Sequence, residues 1–451
     1  MSVDPVRRRA WTCLISLDQG NALEDALAGA DADLADDRDR RFLGELVRGA
    51  VQWQGRYDHL IARFSRRSRA PRGEIRAVLR LGLHQLLACD RVPTYAAVDQ
   101  SVHLARAVGG GKVAPYVNGL LHAVARELER AGGTVEGLRP LFPDPGREPV
   151  AHLAAWHSHP AWLIERWIER FGSEGTEQLC AHDNRRPPVT CRVTPPASPV
   201  TVRARLEEAG IATRRSGIAA RALILEHPLP RADLRNMLAR ETSLIVQDEA
   251  VQAATDFLCA GVRGPALDQC AAPGGKTLRL REELGEDALL IAMDVDRPRL
   301  GLLTGTAVRT GRGPDGLVTA DGRRAPFADG SFETILLDGP CSGTGVLRRH
   351  PDGRWRVGPG HLSRSATRLA ALAREAIRLL RPGGRLLYGT CSLEPEENEG
   401  VVDKLLAEYP DLVPATEDAA AADTWRRNWL PHRDGADGFF AARLRRRKER
   451  A

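Results

Sequence analysis

The stretch that decides the fold is Leu-Asp-Gln-Cys-Ala-Ala-Pro-Gly-Gly-Lys-Thr, residues 267–277. A short apolar run ends at Asp268, and small residues then lead into a helical pattern. Small residues let a ligand approach the backbone, and the N-terminus of a helix favours an anion such as a carboxylate. The ending Gly-Lys-Thr is typical of nucleoside triphosphatases, but a P-loop needs glycine where Cys270 stands, and G-x-G-x-x-G is also absent. The stretch therefore predicts a ligand-binding turn of another kind.

Outward from this turn, short apolar runs alternate with helical patterns. Such alternation is typical of a parallel, doubly wound sheet. Because ligands bind beyond the carboxyl ends of such strands, the residues at those ends predict a site. The predicted strands are 265–267, 289–293, 317–319, 334–337 and 385–388, with a helix over 362–380. The polar or reactive residues that follow the strands are Asp268, Asp294, Asp321, Asp338 and Cys391.

The glycine-rich turn, Asp294 and Asp321 together favour an adenosine-containing ligand. Asp294 follows the second strand roughly 20 residues after the glycine-rich turn, which suits ribose hydroxyls; Asp296 is an equally placed competitor. Asp321, after the third strand, can accept a hydrogen bond from an adenine amine. With no phosphate-binding motif, the pattern favours S-adenosylmethionine over ATP or NAD. Lys276 is one of four lysines among 65 basic residues, which indicates a specific use for an ammonium group.

Two cysteines follow the fourth and fifth strands and face the same crevice. They are Cys341, in Asp-Gly-Pro-Cys-Ser-Gly-Thr-Gly (338–345), and Cys391, in Gly-Thr-Cys-Ser-Leu-Glu-Pro-Glu-Glu-Asn (389–398). A lone cysteine is more often a buried structural thiol. Two thiols beside a carboxylate favour nucleophilic chemistry instead.

A methyl donor together with a thiol indicates methylation at carbon 5 of a pyrimidine. That carbon is too weak a nucleophile to take a methyl group directly. A thiolate that adds to carbon 6 turns the ring into an enamine, and carbon 5 can then attack the sulfonium methyl group. A base must next remove the carbon-5 proton so that the thiol can leave. A carboxyl group such as that of Asp338, at the N3 edge of the ring, would stabilise the adduct. The sequence pattern does not decide which cysteine attacks.

The charge distribution indicates an anionic partner. The 451 residues carry a net charge of +6, with eight arginines between Arg56 and Arg80 and six basic residues between Arg443 and Arg450. Each run is compatible with phosphate binding and equally with a solvated face. Aromatic residues make up only 5% of the chain, which disfavours a platform for stacked bases. We expect RNA contacts mainly through phosphates.

Other features exclude several classes of protein. Every apolar stretch is interrupted well before the ~18 residues that a transmembrane helix needs, and no secretory signal is predicted over 1–18. The eight cysteines form no C-x-x-C pair, so the common zinc spacings are missing and no metal is expected. Scattered single cysteines are typical of free thiols in a reducing cytoplasm. We expect a cytoplasmic monomer without a membrane segment.

Three domains are predicted along the chain. Residues 1–135 show helical apolar spacing, and several prolines between 140 and 149 form a linker. Residues 150–240 mix a helical pattern with short alternating runs, which predicts a small α+β module. Residues 241–451 hold the predicted sheet. The expected fold is an all-α N-terminal domain, an α+β middle module and a C-terminal α/β, Rossmann-like domain.

The motifs of the predicted sheet resemble those of the RNA 5-methylcytosine methyltransferases with two motif cysteines. The resemblance rests on 268–277, 338–352 and 390–399, and 437–444 is similar to the last strand of that family. It implies an S-adenosylmethionine-dependent enzyme with a Rossmann-like domain.

The other two domains carry a resemblance of their own. Residues 79–87 (Leu-Arg-Leu-Gly-Leu-His-Gln-Leu-Leu) and 96–98 resemble the NusB-like RNA-binding domain. The module that adjoins this domain in the family is resembled by 159–160 (His-Pro), 187–188 (Pro-Pro) and 246–250. The combination is similar to the RsmB (Sun, Fmu) branch of the family. The resemblance to that branch implies methylation of 16S ribosomal RNA at cytosine 967.

The resemblance also implies roles for single residues. Cys391 matches the nucleophile, Cys341 the thiol that assists product release, and Asp338 the carboxylate at the pyrimidine edge. Gly339 departs from the alanine that is usual in the family, which predicts a looser loop before Cys341. The positions that match the S-adenosylmethionine site are Cys270, Ala271, Ala272, Pro273, Gly274, Gly275, Lys276, Asp294, Asp321 and Asp338.

The leading hypothesis is an enzyme that forms 5-methylcytosine in 16S ribosomal RNA. Transfer RNA is the alternative substrate. The alternative class is a non-catalytic RNA-binding factor, whose NusB-like domain acts in transcription antitermination or ribosome assembly. A relic of that kind is expected to have lost one cysteine or the Gly-Gly-Lys, and this chain keeps all of them.

Overall fold

The computed structural model describes residues 3–31, 34–65, 71, 73–416 and 425–448. Its chain divides into two units: Met1–Arg185 with Leu347–Arg356, and Arg186–Val346 with Val357–Ala451. Over the described ranges, no helix is long and apolar enough to cross a membrane. Part of each predicted basic run lies outside the described residues, namely Arg66, Arg67, Arg69, Arg72, Glu449 and Arg450.

The first unit is helical, as the sequence predicts. Its α-helices are α1 Pro5–Asp18, α2 Leu23–Asp31, α3 Asp37–Gln52, α4 Gln54–Phe64, α5 Glu74–Ala88, α6 Thr94–Gly109, α7 Ala114–Arg130, α8 Pro149–Trp156 and α9 Ala161–Asp183, with a 3-10 helix at Glu136–Leu141. Asp4 and Asp36 cap α1 and α3 by accepting backbone N–H bonds of the first turn. Fully buried side chains such as Leu43, Leu79 and Leu121 form the core between the helices.

Ten residues from the later part of the sequence complete this first unit. Within Leu347–Arg356, Arg354 is fully buried. Its guanidinium donates to the carbonyls of Ser158 and Asp183 at 3.1 and 3.2 Å and to Asn184 Oδ1 at 2.9 Å. The unit therefore differs from the predicted division of the chain, because buried acceptors near its C-terminal end are satisfied by a segment that is distant in sequence.

The second unit begins with the part of the predicted α+β module from Arg186 onward, whereas residues 150–185 of that module lie in the first unit. Its elements are β1 Thr190–Val193, α10 Pro199–Glu208, β2 Thr213–Arg215, β3 Ala222–Leu225, α11 Arg231–Arg240 and β4 Leu244–Val246. The four strands form an antiparallel sheet in the order β2-β3-β1-β4. The last strand lies beyond the predicted boundary at residue 240, because it pairs with β1, where Arg192 lies opposite Ile245.

A larger, eight-stranded sheet follows in the chain. Its strands are β5 Ala266–Asp268, β6 Leu290–Asp294, β7 Gly316–Thr319, β8 Phe332–Asp338, β9 Leu380–Thr390, β10 Leu412–Pro414, β11 Arg426–Trp429 and β12 Phe439–Arg446. The order is β10-β12-β9-β8-β5-β6-β7, and β11 pairs with β12. The helices of this part of the sequence are α12 Glu249–Cys259, α13 Gly275–Leu284, α14 Arg297–Thr310, α15 Gly353–Arg356, α16 Pro359–Leu379, α17 Glu399–Glu408 and α18 Pro431–Asp434, with a 3-10 helix at Gly322–Arg324.

Strands β5 to β9 pair in parallel, which confirms the predicted Rossmann-like domain. Leu267, Ile335 and Leu386 from three of them are fully buried in the core under α16. The strand β12 runs antiparallel to β9. The sequence does not predict β10 and β11, because the first has only three residues and the second, Arg-Arg-Asn-Trp, has no apolar alternation.

Candidate active site

The carboxyl ends of the parallel strands lie along one edge of the larger sheet. The strands β5, β6 and β8 end at Asp268, Asp294 and Asp338, and Cys391 follows the last residue of β9. Because β9, β8, β5 and β6 are consecutive neighbours, these side chains succeed one another along that edge. Asp321 comes two residues after β7.

The two motif cysteines are in contact. The Sγ atoms of Cys341 and Cys391 lie 3.4 Å apart. The hydrogen bond to Cys391, burial, and the charges of Cys391 and Glu397 hold the pKa of Cys341 well above its ordinary value. Cys341 is therefore protonated at neutral pH. All eight cysteines are free thiols, and no cluster of metal-ligating side chains occurs in the ranges that the structure describes.

A salt bridge connects the glycine-rich turn to the end of β8. Lys276 Nζ lies 2.5 Å from Asp338 Oδ2 and 5.4 Å from the centre of the Phe439 ring. Burial lowers the pKa of Lys276, but the attraction of Asp338 and the hydrogen bond to it outweigh burial, so the pKa lies above its usual value. The charge of Cys391 acts on the same ammonium. The lysine, the carboxylate and the cysteine pair therefore belong to one site.

The glycine-rich turn is held on the end of β6. Ala272 N–H donates to Asp294 Oδ2 at 3.0 Å, and Asp296 N–H donates to Asp294 Oδ1 at 2.9 Å. Asp296 itself caps α14 by accepting from Arg299 N–H at 3.0 Å. Of the two candidate ribose-binding carboxylates, Asp294 is thus the one joined to the turn.

The polar groups of this turn fit S-adenosylmethionine. Gly274 has φ +109°, and a Cβ at this position would lie 2.6 Å from the Leu303 side chain, so the turn needs glycine. Asp268 is fully buried; its Oδ2 accepts from Thr277 O–H at 2.7 Å, and its Oδ1 has no partner among the described residues. Burial raises the pKa of Asp268 to about 7. A free buried acceptor beside the Asp294 carboxylate matches the ammonium and ribose hydroxyls of this cofactor.

Asp321 differs from the other carboxylates because it is half-exposed and already paired. It accepts from Arg323 N–H at 2.9 Å and lies 2.6 Å from the Arg323 guanidinium. This hydrogen bonding lowers the pKa of Asp321 to about 2. An adenine amine would compete with Arg323 for this carboxylate.

Gly339 is packed closely by a buried side chain of α16, and the looser loop before Cys341 stays a prediction. A Cβ at Gly339 would lie 2.3 Å from Leu369 Cδ2, and Leu369 is fully buried. The leucine of α16 fills the space of the missing methyl group and packs against the loop.

The structure also reveals a buried polar link that sequence reasoning missed. Glu397 is fully buried, and its two carboxylate oxygens accept from the N–H and the O–H of Ser342, the residue after Cys341. Four acidic residues follow Cys391 within eight positions. Only burial distinguishes Glu397 from the exposed Glu396, so the sequence offered no signal for it.

Two arginines of the first basic run serve the fold. Arg56 lies between the rings of Trp53 and Trp156, 4.0 and 4.1 Å from their centres, and donates to the Trp156 carbonyl. Arg80 forms a two-bond salt bridge with Asp58, at 2.8 and 2.6 Å. These two guanidinium groups are buried in the first unit, so the run is not a uniform phosphate-binding surface.

Comparison with known proteins agrees with the succession of a helical domain, a small α+β module and a Rossmann-like domain. Three family profiles match the chain: NusB over 5–126, the RsmF/B-like ferredoxin-like domain over 159–232 and 16S rRNA methyltransferase RsmB/F over 263–445. The chain is 34% identical to the ribosomal RNA small subunit methyltransferase B of Pseudomonas putida, over 97% of this chain and 98% of that protein. It is 28% identical to the probable enzyme of that name from Bacillus subtilis, over 99% and 100% of the two chains.

A solved structure agrees over the same length. The crystal structure of PH0851 matches with a TM-score of 0.75 at 27% identity, over 98% of this chain and 99% of that one. Fold and site thus define an S-adenosylmethionine-dependent methyltransferase. The chain belongs to the RsmB/F family of 16S rRNA methyltransferases, which confirms the resemblance of its motifs.

Proposed function

We propose that this protein methylates carbon 5 of a cytosine in 16S ribosomal RNA, of the cytosine 967 type, through an adduct between Cys391 and carbon 6. The observation that carries the proposal is the 3.4 Å contact between Cys341 and Cys391 at the site of the Lys276–Asp338 pair. A methyl transfer to oxygen or nitrogen needs no thiol. Two thiols in contact suit a reaction in which one adds to the ring and the other removes a proton from it.

Cys391 acts first in the proposed reaction. The S–H of Cys341 donates a hydrogen bond to the Cys391 sulfur, which favours an anion there. That thiolate adds to carbon 6, and the electron pair of the 5,6 double bond shifts through carbon 4 to N3. N3 takes a proton from the Asp338 carboxyl group, which Lys276 holds in place, and returns it when the ring double bond is restored. S-adenosylmethionine, when bound, supplies an electrophilic methyl group to the enamine carbon 5.

Cys341 completes the reaction. Its raised pKa depends partly on the hydrogen bond to Cys391 and on the charge of that sulfur. Both contributions vanish when Cys391 becomes a thioether, so Cys341 ionises more readily and takes the carbon-5 proton. The electron pair of the carbon–hydrogen bond restores the ring double bond, and the bond between carbon 6 and Cys391 breaks to return the thiolate.

The cofactor is held by residues of the glycine-rich turn and the strand ends. Asp294 would bind the ribose hydroxyls, Asp268 the ammonium, and the backbone of Cys270–Lys276 the carboxylate group. Asp321 would accept from the adenine amine if Arg323 releases it.

The names of the relatives support ribosomal RNA as substrate, and a reaction on that substrate belongs in the cytoplasm. Transfer of labelled methyl from S-adenosylmethionine to protein-free 16S ribosomal RNA, with bulk transfer RNA in parallel, tests this choice. We expect label on 16S ribosomal RNA at one cytosine. Label on transfer RNA alone would refute 16S ribosomal RNA as the substrate. No label on either RNA or on assembled 30S particles would favour a non-catalytic binding factor.

A further inference from the structure

We propose that Glu397 is the positioning residue that holds Cys341 against Cys391 for the release step, an inference that rests on the proposed function. Ser342 follows Cys341, and Ser392 follows Cys391. A carboxylate that fixes the position of Ser342 relative to Ser392 therefore fixes the distance between the two sulfur atoms.

The carboxylate binds Ser342 at two points. One oxygen of Glu397 accepts from Ser342 N–H at 2.8 Å, and the other accepts from Ser342 O–H at 2.5 Å. The same hydroxyl lies 3.2 Å from Ser392 Oγ. Both the backbone and the side chain of the residue after Cys341 are thus held.

Glu397 is itself fixed to β9, the strand that leads into Cys391. The hydroxyl of Tyr388, in β9, donates to the Glu397 carbonyl at 2.5 Å, and the Asn398 amide donates to the Ser392 carbonyl at 2.9 Å. Gly345 N–H, in the loop of Cys341, donates to the Cys391 carbonyl at 2.9 Å. The loop and the strand therefore form one hydrogen-bonded assembly.

Packing alone does not explain a glutamate at this position. Its side chain is fully buried, and within the described ranges its carboxylate is bound by Ser342 and by no cation. A buried carboxylate without a cation is costly. Its charge is also among the causes that keep Cys341 protonated. The two oxygens of Glu397 accept the hydrogen bonds that hold Ser342 beside Cys341, and its negative charge helps to keep the Cys341 thiol protonated.

The proposal predicts that Glu397→Ala separates addition from release. Cys391 still adds to the ring, but Cys341 no longer lies at the proton, so turnover falls about 100-fold and a covalent RNA adduct accumulates, as in Cys341→Ala. Glu397→Gln keeps an oxygen for Ser342 N–H and an N–H for Ser342 Oγ, and we expect it to recover turnover to within about 10-fold of wild type. Glu396→Ala, at the exposed neighbour, is the matched control and should behave as wild type.

A second measurement needs no RNA. Dibromobimane joins two thiols in proximity, and peptide mass mapping identifies the Cys341–Cys391 product. We expect its yield to fall several-fold in Glu397→Ala and to stay near wild type in Glu397→Gln and Glu396→Ala. Wild-type cross-linking in Glu397→Ala would overturn the proposal.

Two controls keep the result interpretable. If Glu397→Ala fails to bind S-adenosylmethionine, Ser342→Ala decides: reduced cross-linking supports the clamp, and wild-type cross-linking overturns it. Failure of the proposed function has a different signature, because Cys341→Ala would then form no RNA adduct, whatever the cross-linking of the Glu397 variants.

Discussion

Gly339 and Leu369 form a complementary pair beside Cys341. Because a Cβ at Gly339 would lie 2.3 Å from the buried Leu369 side chain, we expect Gly339→Ala to cost about 1–3 kcal/mol of stability in urea unfolding. The double variant with Leu369→Ala should lose less than the sum of the single losses. Gly301→Ala is the control, since nothing lies within 4 Å of that position. Unchanged stability in Gly339→Ala would show that the pair is not coupled.

At the residue scale, chemistry could be predicted where it depends on residue type and position along a strand. Asp294, Asp338 and the two cysteines lie at strand ends because a parallel sheet puts them there. The choice between Asp294 and Asp296 could not be made from the sequence, since it depends on which carboxylate caps α14. The role of Glu397 was equally hidden, because only burial distinguishes it from the exposed Glu396 beside it.

At the element scale, the basic run between Arg56 and Arg80 divides into structural and exposed members. Arg80 pairs with Asp58, whereas Arg63 is exposed. We expect Arg80→Met to cost about 1–3 kcal/mol of stability, since it leaves a partly buried carboxylate without its partner. The slope of log affinity for RNA against log salt should stay unchanged, whereas a lost phosphate contact would reduce it by about 0.7–0.9.

Arg63→Met is the matched control for this substitution and should leave stability unchanged. Filter binding over a range of salt concentrations, together with urea unfolding, separates the two roles. A reduced salt slope in a stable Arg80→Met protein would contradict the structural role.

The parallel strands of the larger sheet and the helix α16 could be predicted from the sequence, whereas the short strands β10 and β11 could not. The strands β5 to β9 and the helix α16 have apolar patterns of the length that their structures require. The strands β10 and β11 form only because β12 offers them partners. Pairing between distant segments of this kind has no local sequence signal.

At the scale of the whole molecule, the segment Leu347–Arg356 belongs to the first unit although it lies between strands of the second in sequence. Arg354→Met would leave three acceptors around Ser158, Asp183 and Asn184 without their donor. We expect the free energy of unfolding of the first unit to fall by about 2–5 kcal/mol, which would be seen as faster hydrogen exchange in α8 and α9. Arg356→Met, at a half-exposed side chain, is the control. Wild-type exchange in Arg354→Met would contradict this account of the unit.

In the proposed reaction two cysteines divide the work of addition and release, and trapping of the covalent adduct tests this division most directly. Cys341→Ala and Cys391→Ala are each incubated with 16S ribosomal RNA and S-adenosylmethionine and then separated by denaturing electrophoresis. We predict an RNA–protein adduct with Cys341→Ala, because the carbon-5 proton is not removed, and none with Cys391→Ala, because nothing adds to carbon 6. Adducts from both variants, from neither, or from Cys391→Ala alone would contradict the assignment.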